Sequence, residues 1–184
     1  GEDTCVVCDR CMYAANIEVA TSGLVDSIDT TEPVAFEKVH TPGRRTVEEV
    51  STFLGLSPDR FIKSLMFVGD DGPAMVLIRG DEEVNEEKLL PLLGAGMRPA
   101  HPEEVLELIG AEIGYLGPVG LEGKVRIIAD NRLKDARNRA TGANENDYHV
   151  VGVQVGETFH PDEWADIRTV REGEPCPKCG APLT

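Results

Sequence analysis

Apolar and polar positions along this chain change period every few residues, and each change marks an element. Val34-Ala35-Phe36-Glu37-Lys38-Val39 predicts a strand, and His40-Thr41-Pro42-Gly43 a turn after it. Thr46 with Glu49 three residues on forms a capping box. Behind it Val47, Val50, Phe53 and Leu54 recur at helical spacing, so a helix should run to about Leu54. Ser57-Pro58 predicts a short helix carrying Lys63. The runs Leu65-Met66-Phe67-Val68 and Ala74-Met75-Val76-Leu77-Ile78 flank Gly69-Asp70-Asp71-Gly72 and predict a hairpin. Asn85 caps a helix to about Leu93, a strand lies near Met97 to Ala100, and a second helix runs from Pro102 to Ile109. Gly114 to Pro118 reads as a loop, Val125 to Ala129 as a strand, Thr141 to Asp147 as a loop and Tyr148 to Val155 as a strand. Thr21 to Glu32 is polar and reads as a linker, and residues 156–184 are polar as well. Interleaved strands and helices without internal repeats predict a mixed α/β domain.

Composition adds bounds. A chain of 184 residues fits one domain, or one domain with a small satellite. Apolar residues are 41% and aromatics 5%, so the core should consist mostly of Val, Leu, Ile and Ala. No apolar run approaches the roughly 18 residues of a membrane helix, and no basic start precedes an apolar run, so a cytoplasmic location without membrane contact is expected. The sequence starts at Gly1 rather than Met, as a segment of a longer chain would. The net charge of −15 repels nucleic acid at long range. It is unevenly spread: residues 124–139 carry Lys124, Arg126, Arg132, Lys134, Arg137 and Arg139 against Asp130 and Asp135, and Arg44-Arg45 form a second basic pair. This surplus suits either a solvated face or a local phosphate-binding surface.

The five cysteines lie near the two ends. Cys8-Asp9-Arg10-Cys11 and Cys176-Pro177-Lys178-Cys179-Gly180 are both Cys-x-x-Cys, a gap that turns two thiolates onto one ion. Two such knuckles predict a four-sulfur structural zinc site, with Cys5 as the spare. Their separation makes the metal a clasp between chain ends rather than the nucleus of a finger. Ends held together in this way suit a domain inserted into a host protein.

Motifs for other chemistry are absent. The sequence holds no Gly-x-Ser-x-Gly elbow, no phosphate-binding Gly-x-x-x-x-Gly-Lys-Ser/Thr and no Gly-x-Gly-x-x-Gly. The histidines His40, His101, His149 and His160 form no metal-binding His-x-x-x-His pattern.

Several segments, in order, resemble one family. Cys8 to Glu18 resembles the passage of bacterial prolyl-tRNA synthetases from the aminoacylation core into their inserted editing domain. Glu37-Lys38-Val39-His40-Thr41-Pro42-Gly43 with Thr46 resembles the opening of that domain, and Phe61-Ile62-Lys63-Ser64-Leu65 its lysine segment. Gly114-Tyr115-Leu116-Gly117-Pro118 is similar to its Gly-x-x-x-Pro loop. Gly142-Ala143-Asn144 followed by Tyr148 to Val153 is similar to its histidine segment. Ala165 to Arg168 and Gly173 to Cys179 resemble the return to the core. Two features depart from the common pattern: many members lack the four cysteines, and Asn138 stands where some carry an acid.

The resemblance implies an editing fold of the YbaK/ProX-like aminoacyl-tRNA deacylase superfamily, a mixed β-sheet or partial barrel flanked by helices. It implies connectors at 1–33 and 157–184 around an editing domain at 34–156. The implied substrate is alanine esterified to the acceptor end of tRNA for proline, and the remainder of the synthetase is the implied partner. An activated ester needs only positioned water and charge stabilisation, so the missing catalytic triad is no obstacle. A pocket that admits alanine and rejects proline would complete a double sieve. In that scheme Lys63 is catalytic, holding the terminal phosphate or the developing oxyanion. Thr41, Gly114, Gly117, Pro118, Asn144 and His149 bind substrate, and Cys8, Cys11, Cys176 and Cys179 hold zinc. The competing expectations are a free-standing deacylase, a zinc-clasped tRNA-binding module without chemistry, and a zinc-dependent hydrolase.

Overall fold

The computed structural model describes residues 3–184, so Gly1 and Glu2 of the expected 1–33 connector lie outside the described residues. The strands are β1 (Cys5–Val7), β2 (Ala14–Asn16), β3 (Glu37–His40), β4 (Ile62–Gly69), β5 (Gly72–Arg79), β6 (Arg98–Pro99), β7 (Arg126–Asp130), β8 (Arg139–Gly142), β9 (Tyr148–Val153) and β10 (Glu163–Ala165). The helices are α1 (Val47–Leu54), α2 (Glu86–Leu93) and α3 (Pro102–Ile109), with 3₁₀ turns at Pro58–Arg60 and Asn131–Leu133.

The main sheet is mixed, in the order β10-β7-β5-β4-β6. The β4–β5 hairpin is antiparallel with Gly69 opposite Gly72, while β7 runs parallel to both β5 and β10. Strand β5 is the centre: Ala74, Met75, Val76, Leu77 and Ile78 are all at most 1% exposed. Burial on both faces explains why this strand reads as a continuous apolar run rather than an alternation. A second sheet, β3-β9-β8, is antiparallel, and the Phe61–Ala140 bridge joins it to the start of β4. The two sheets meet at that corner without closing into a barrel among the described residues. One core packs Leu116, Ile127, Leu133 and Phe159 between them.

Several expected boundaries move. Lys63 belongs to β4 rather than to a short helix: the turn after Pro58 ends at Arg60, Phe61 is already extended, and Lys63 pairs with Ile78. The strand expected at Val34–Val39 begins at Glu37. Opposite it, Gly152 takes φ 72° and its Cα lies against the Ala35 carbonyl, so the β3–β9 ladder stops there. The same glycine helps to end β9 at Val153 rather than Val155. Strand β7 starts at Arg126, because Val125 still bonds back to Leu121. Strand β6 shrinks to Arg98–Pro99. Thr141 and Gly142, expected in a loop, end β8 and pair with Val150 and His149.

The two ends of the described chain meet. Val7 and Thr184 exchange main-chain hydrogen bonds of 2.8 and 2.9 Å, and β1–β2 packs with Val170 and Leu183 in a small separate core. Glu82, 1% exposed, ties this region to the body. Its carboxylate faces Arg79 and Arg132 of the body and Arg168 and Arg171 of the C-terminal segment.

Candidate functional site

A cavity of about 560 Å³ opens where the two sheets meet. Its walls come from the start of α1, the first residues of β4, the segment after β5, the Ile113–Leu116 loop, the end of β8 and His149 of β9. Lys63, Gly114 and His149, far apart in sequence, all line it.

His149 is 4% exposed and Thr41 fully buried, with Thr41 Oγ1 and His149 Nδ1 2.6 Å apart. Burial draws the imidazole below its ordinary value, while the Gly114 carbonyl accepts from the ring and pulls the other way. A ring that gives its proton to that carbonyl leaves Nδ1 to accept from the Thr41 hydroxyl. His149 is therefore a neutral, oriented wall, suited to shaping a ligand rather than to taking a proton. Tyr115 meets it edge-on at 5.8 Å and donates to Asp147 Oδ1 at 3.0 Å.

Glycines set the loop's approach. Gly114 has φ 102°, and an added Cβ there would lie 2.7 Å from Arg45 Cβ. At Gly142 an added Cβ would sit 2.1 Å from the Tyr115 carbonyl carbon, so β8 and the loop touch backbone to backbone. Asn144, at φ 57°, clamps the loop from behind. Its Oδ1 accepts from Gly117 N at 2.9 Å, and its Nδ2 donates to Gly117 O at 2.9 Å and Val119 O at 3.2 Å. Gly117, Pro118, Asn144 and Thr41 thus stand one layer behind the wall. Gly114 and Leu116 line the cavity, and their main-chain N–H groups have no protein acceptor among the described residues.

The Lys63 side chain is 22% exposed, and its Nζ lies 3.4 Å from the exposed Glu83. Beside it Ser64 Oγ and Thr141 Oγ1 are 3.2 Å apart, and Thr141 also donates to the Ile62 carbonyl at 2.9 Å. Arg45 stands at the rim, paired with Glu112 and 5.4 Å over the Tyr115 ring. Ser64, Thr141 and Arg45 were not distinguished as site residues by the sequence. Two hydroxyls on strands carry no local signature, and only the β4–β8 junction makes them neighbours. The cavity lining brings together the Lys63 and Arg45 cations, the hydroxyls of Ser64 and Thr141, and the main chain of Gly114 and Leu116. No nucleophile–base pair is among them.

A second cluster lies at the chain ends. The sulfurs of Cys8, Cys11, Cys176 and Cys179 all lie within 4.8 Å of one another, with Cys8–Cys179 at 3.5 Å and Cys11–Cys176 at 3.6 Å. Burial opposes ionisation of Cys176, but the main chain at Lys178 and Cys179 holds its thiol at about 7. Four thiols so gathered are compatible with a structural metal.

Fold and site define a class: a mixed α/β domain with a glycine-walled cavity carrying one lysine and one neutral histidine, apart from a four-cysteine clasp. The chain belongs to the aminoacyl-tRNA editing domain family, whose sequence profile matches residues 41–158. Whole-chain relatives are proline--tRNA ligases: that of Thermotoga neapolitana is 46% identical over 184 residues, covering 100% of this chain and 32% of the relative. Those of Thermoanaerobacter sp. (strain X514) and Moorella thermoacetica are 43% and 45% identical, with the same shares covered. The chain thus spans about a third of the length of these relatives. Among solved structures, one described as a candidate trans-editing enzyme for prolyl tRNA synthetase superposes with a TM-score of 0.60 at 26% identity. It covers 73% of this chain and 87% of that one. No helix of the described residues is long and apolar enough to cross a membrane.

Proposed function

We propose that this chain is the editing portion of a bacterial-type prolyl-tRNA synthetase and hydrolyses alanine from mischarged tRNA for proline. The observation that carries the reading is the convergence of Lys63, Gly114 and His149 on one cavity. The ester of the terminal ribose enters there. Lys63 holds the terminal phosphate or the developing oxyanion, and the free N–H groups of Gly114 and Leu116 aid the same charge. Water is the nucleophile. His149, fixed by Thr41, shapes the end that receives the amino acid, while Asn144, Gly117 and Pro118 set the distance between loop and strand.

The four cysteines would hold Zn²⁺. Tetrahedral sulfurs at about 2.3 Å from zinc are about 3.8 Å apart, near the separations across this cluster. That metal would supply cohesion at the chain ends and lies outside the cavity. Residues 1–33 and 157–184 then serve as connectors to the rest of the synthetase and 34–156 as the deacylase, working in the cytoplasm. The test is alanine release from alanyl-tRNA for proline with the chain in excess. Release well above the spontaneous rate supports the reading. Release at the spontaneous rate, with the same RNA shown to bind, leaves a tRNA-binding module without chemistry.

A further inference from the structure

A larger cleft of about 890 Å³ lies beside the editing cavity, between the chain segment 24–31 and the body. Its body wall carries Arg60, Arg79, Arg132, Lys134, Arg137 and Arg139 against three acids, Asp59, Asp135 and Glu157. In a molecule of net charge −15, this is a concentrated patch of the opposite sign.

The segment 24–31 crosses that patch as a strap, held by two carboxylates and, at its C-terminal end, by Thr31, whose carbonyl accepts from Arg137 at 3.0 Å and whose hydroxyl oxygen accepts from Asn138 at 3.1 Å. Asp26 accepts from Arg132 at 2.8 and 2.5 Å and lies 3.6 Å from Arg79. Asp29 accepts from Arg60 at 3.2 Å and from the Arg137 N–H at 3.3 Å, and lies 3.5 Å from Arg139. From Leu24 to Thr30, no other hydrogen bond joins strap to body among the described residues. The ends are fixed: Gly23 N donates to Pro175 O at 2.7 Å, and Asn138 binds the Glu32 carbonyl at 2.8 Å and the Val34 N–H at 2.9 Å.

Two observations show that the strap is a poor permanent cover. Beyond the partly buried Leu24, its apolar side chains are exposed, Val25 at 88% and Ile28 at 84%, so polar contacts rather than apolar burial keep its middle in place. Beneath it Arg139 is 9% exposed, and its Nε has no hydrogen-bond partner. Burial and the neighbouring Arg60 press against its charged form, so this cation is incompletely matched by the strap.

The cleft and the editing cavity are lined by adjacent residues of the same two chain segments. Pro58, Phe61, Gly80 and Asp81 line the cavity, while their chain neighbours Asp59, Arg60 and Arg79 line the cleft. An RNA whose aminoacylated end occupies the cavity brings its preceding phosphates to this wall. We propose that the cleft binds the phosphodiester backbone of the acceptor strand, and that Asp26 and Asp29 occupy it as phosphate stand-ins until RNA displaces the strap. The identity of the RNA rests on the editing reading. The strap exchanges two carboxylates for phosphates, so the release of the cover offsets part of the binding energy and favours a ligand with several phosphates in a row.

The test uses a fluorescent RNA hairpin with an uncharged single-stranded 3′ end, titrated into the 184-residue chain at two salt concentrations. Asp26→Asn with Asp29→Asn should tighten binding about tenfold at low salt, and Arg60→Gln with Arg137→Gln should weaken it about tenfold and flatten the salt dependence. In the unaltered chain, saturating RNA should speed amide exchange at 24–31. Unchanged or weaker binding by the Asn variant, or strap exchange that RNA leaves unchanged or slows, makes the strap a structural clip and overturns the proposal. Hydrolysis of alanine esterified to adenosine alone, run in parallel, reads the editing cavity without the cleft. Its absence would count against the editing reading, while the hairpin titration would still decide the cleft.

Discussion

The proposed hydrolysis turns on one ammonium group. Lys63 lines the cavity, and its Glu83 partner is exposed and 3.4 Å away. A pair that loose contributes little to stability. Lys63→Ala should therefore lower single-turnover deacylation by about 10²- to 10³-fold, the range for losing one oxyanion donor. The melting temperature should stay close to that of the unaltered chain, and near-normal turnover would remove Lys63 from the mechanism. His149 makes a different prediction. Burial depresses its folded-state value below the ordinary 6.5, so the unfolded chain binds the proton more readily. The stability cost of that proton is absent well above 6.5 and grows as pH falls below it. His149→Gln should flatten the stability profile between about pH 7 and 5, and a profile unchanged by the substitution would show that the ring titrates freely. Lys63 and His149 could be singled out from sequence only because their neighbours resembled a family. Nothing in an apolar strand with one histidine announces the Thr41 hydroxyl behind it, since that contact spans 108 positions.

Among the elements, the contact between β8 and the Gly114–Pro118 loop sets the cavity's shape. Gly142→Ala would place a methyl group 2.4 Å from the Leu116 nitrogen, a backbone atom that cannot rotate away. Denaturant unfolding should show a loss of about 2–3 kcal/mol, and deacylation should fall with it as the loop is pushed off the strand. An unaffected variant would mean that the loop is not fixed there. Thr46→Ala is the contrasting case: it removes one half of an α1 capping box at the cavity rim and should cost about 1 kcal/mol. Helices and the β4–β5 hairpin were legible because each carries local signals: a cap, a period, a turn of Gly and Asp. Strand ends were less legible because tertiary contact decides them. Phe61 turned extended so that β4 could pair with β5, which moved Lys63 from a helix to a strand. The short strands β1, β2 and β10 exist because a neighbour offers an edge, and three residues carry too little periodicity to show it.

At the scale of the molecule, the cysteine cluster joins the two end segments to each other, and buried Glu82 with its arginines, together with Asn85 bonded to the Ile17 and Glu18 carbonyls, ties them to the body. Removing one partner from such a buried charge network leaves charges unmatched, so Glu82→Gln should cost about 3–5 kcal/mol in denaturant unfolding. Stripping bound metal with a chelator should lower the melting temperature and loosen residues 4–20 and 170–184. Alanine release per folded molecule should persist, since the cysteines lie outside the cavity. Activity lost with metal while the fold stays intact would instead assign the metal to the chemistry. The central claim is a small, lysine-bearing cavity that sorts amino acids by size. Its most direct test is single-turnover release from alanyl- and prolyl-tRNA for proline side by side, with the chain in excess. The expected result is alanine release at least about 100-fold faster than proline release, with Lys63→Ala erasing the difference. Equal rates for the two esters, or an alanine rate unmoved by that substitution, would contradict the claim.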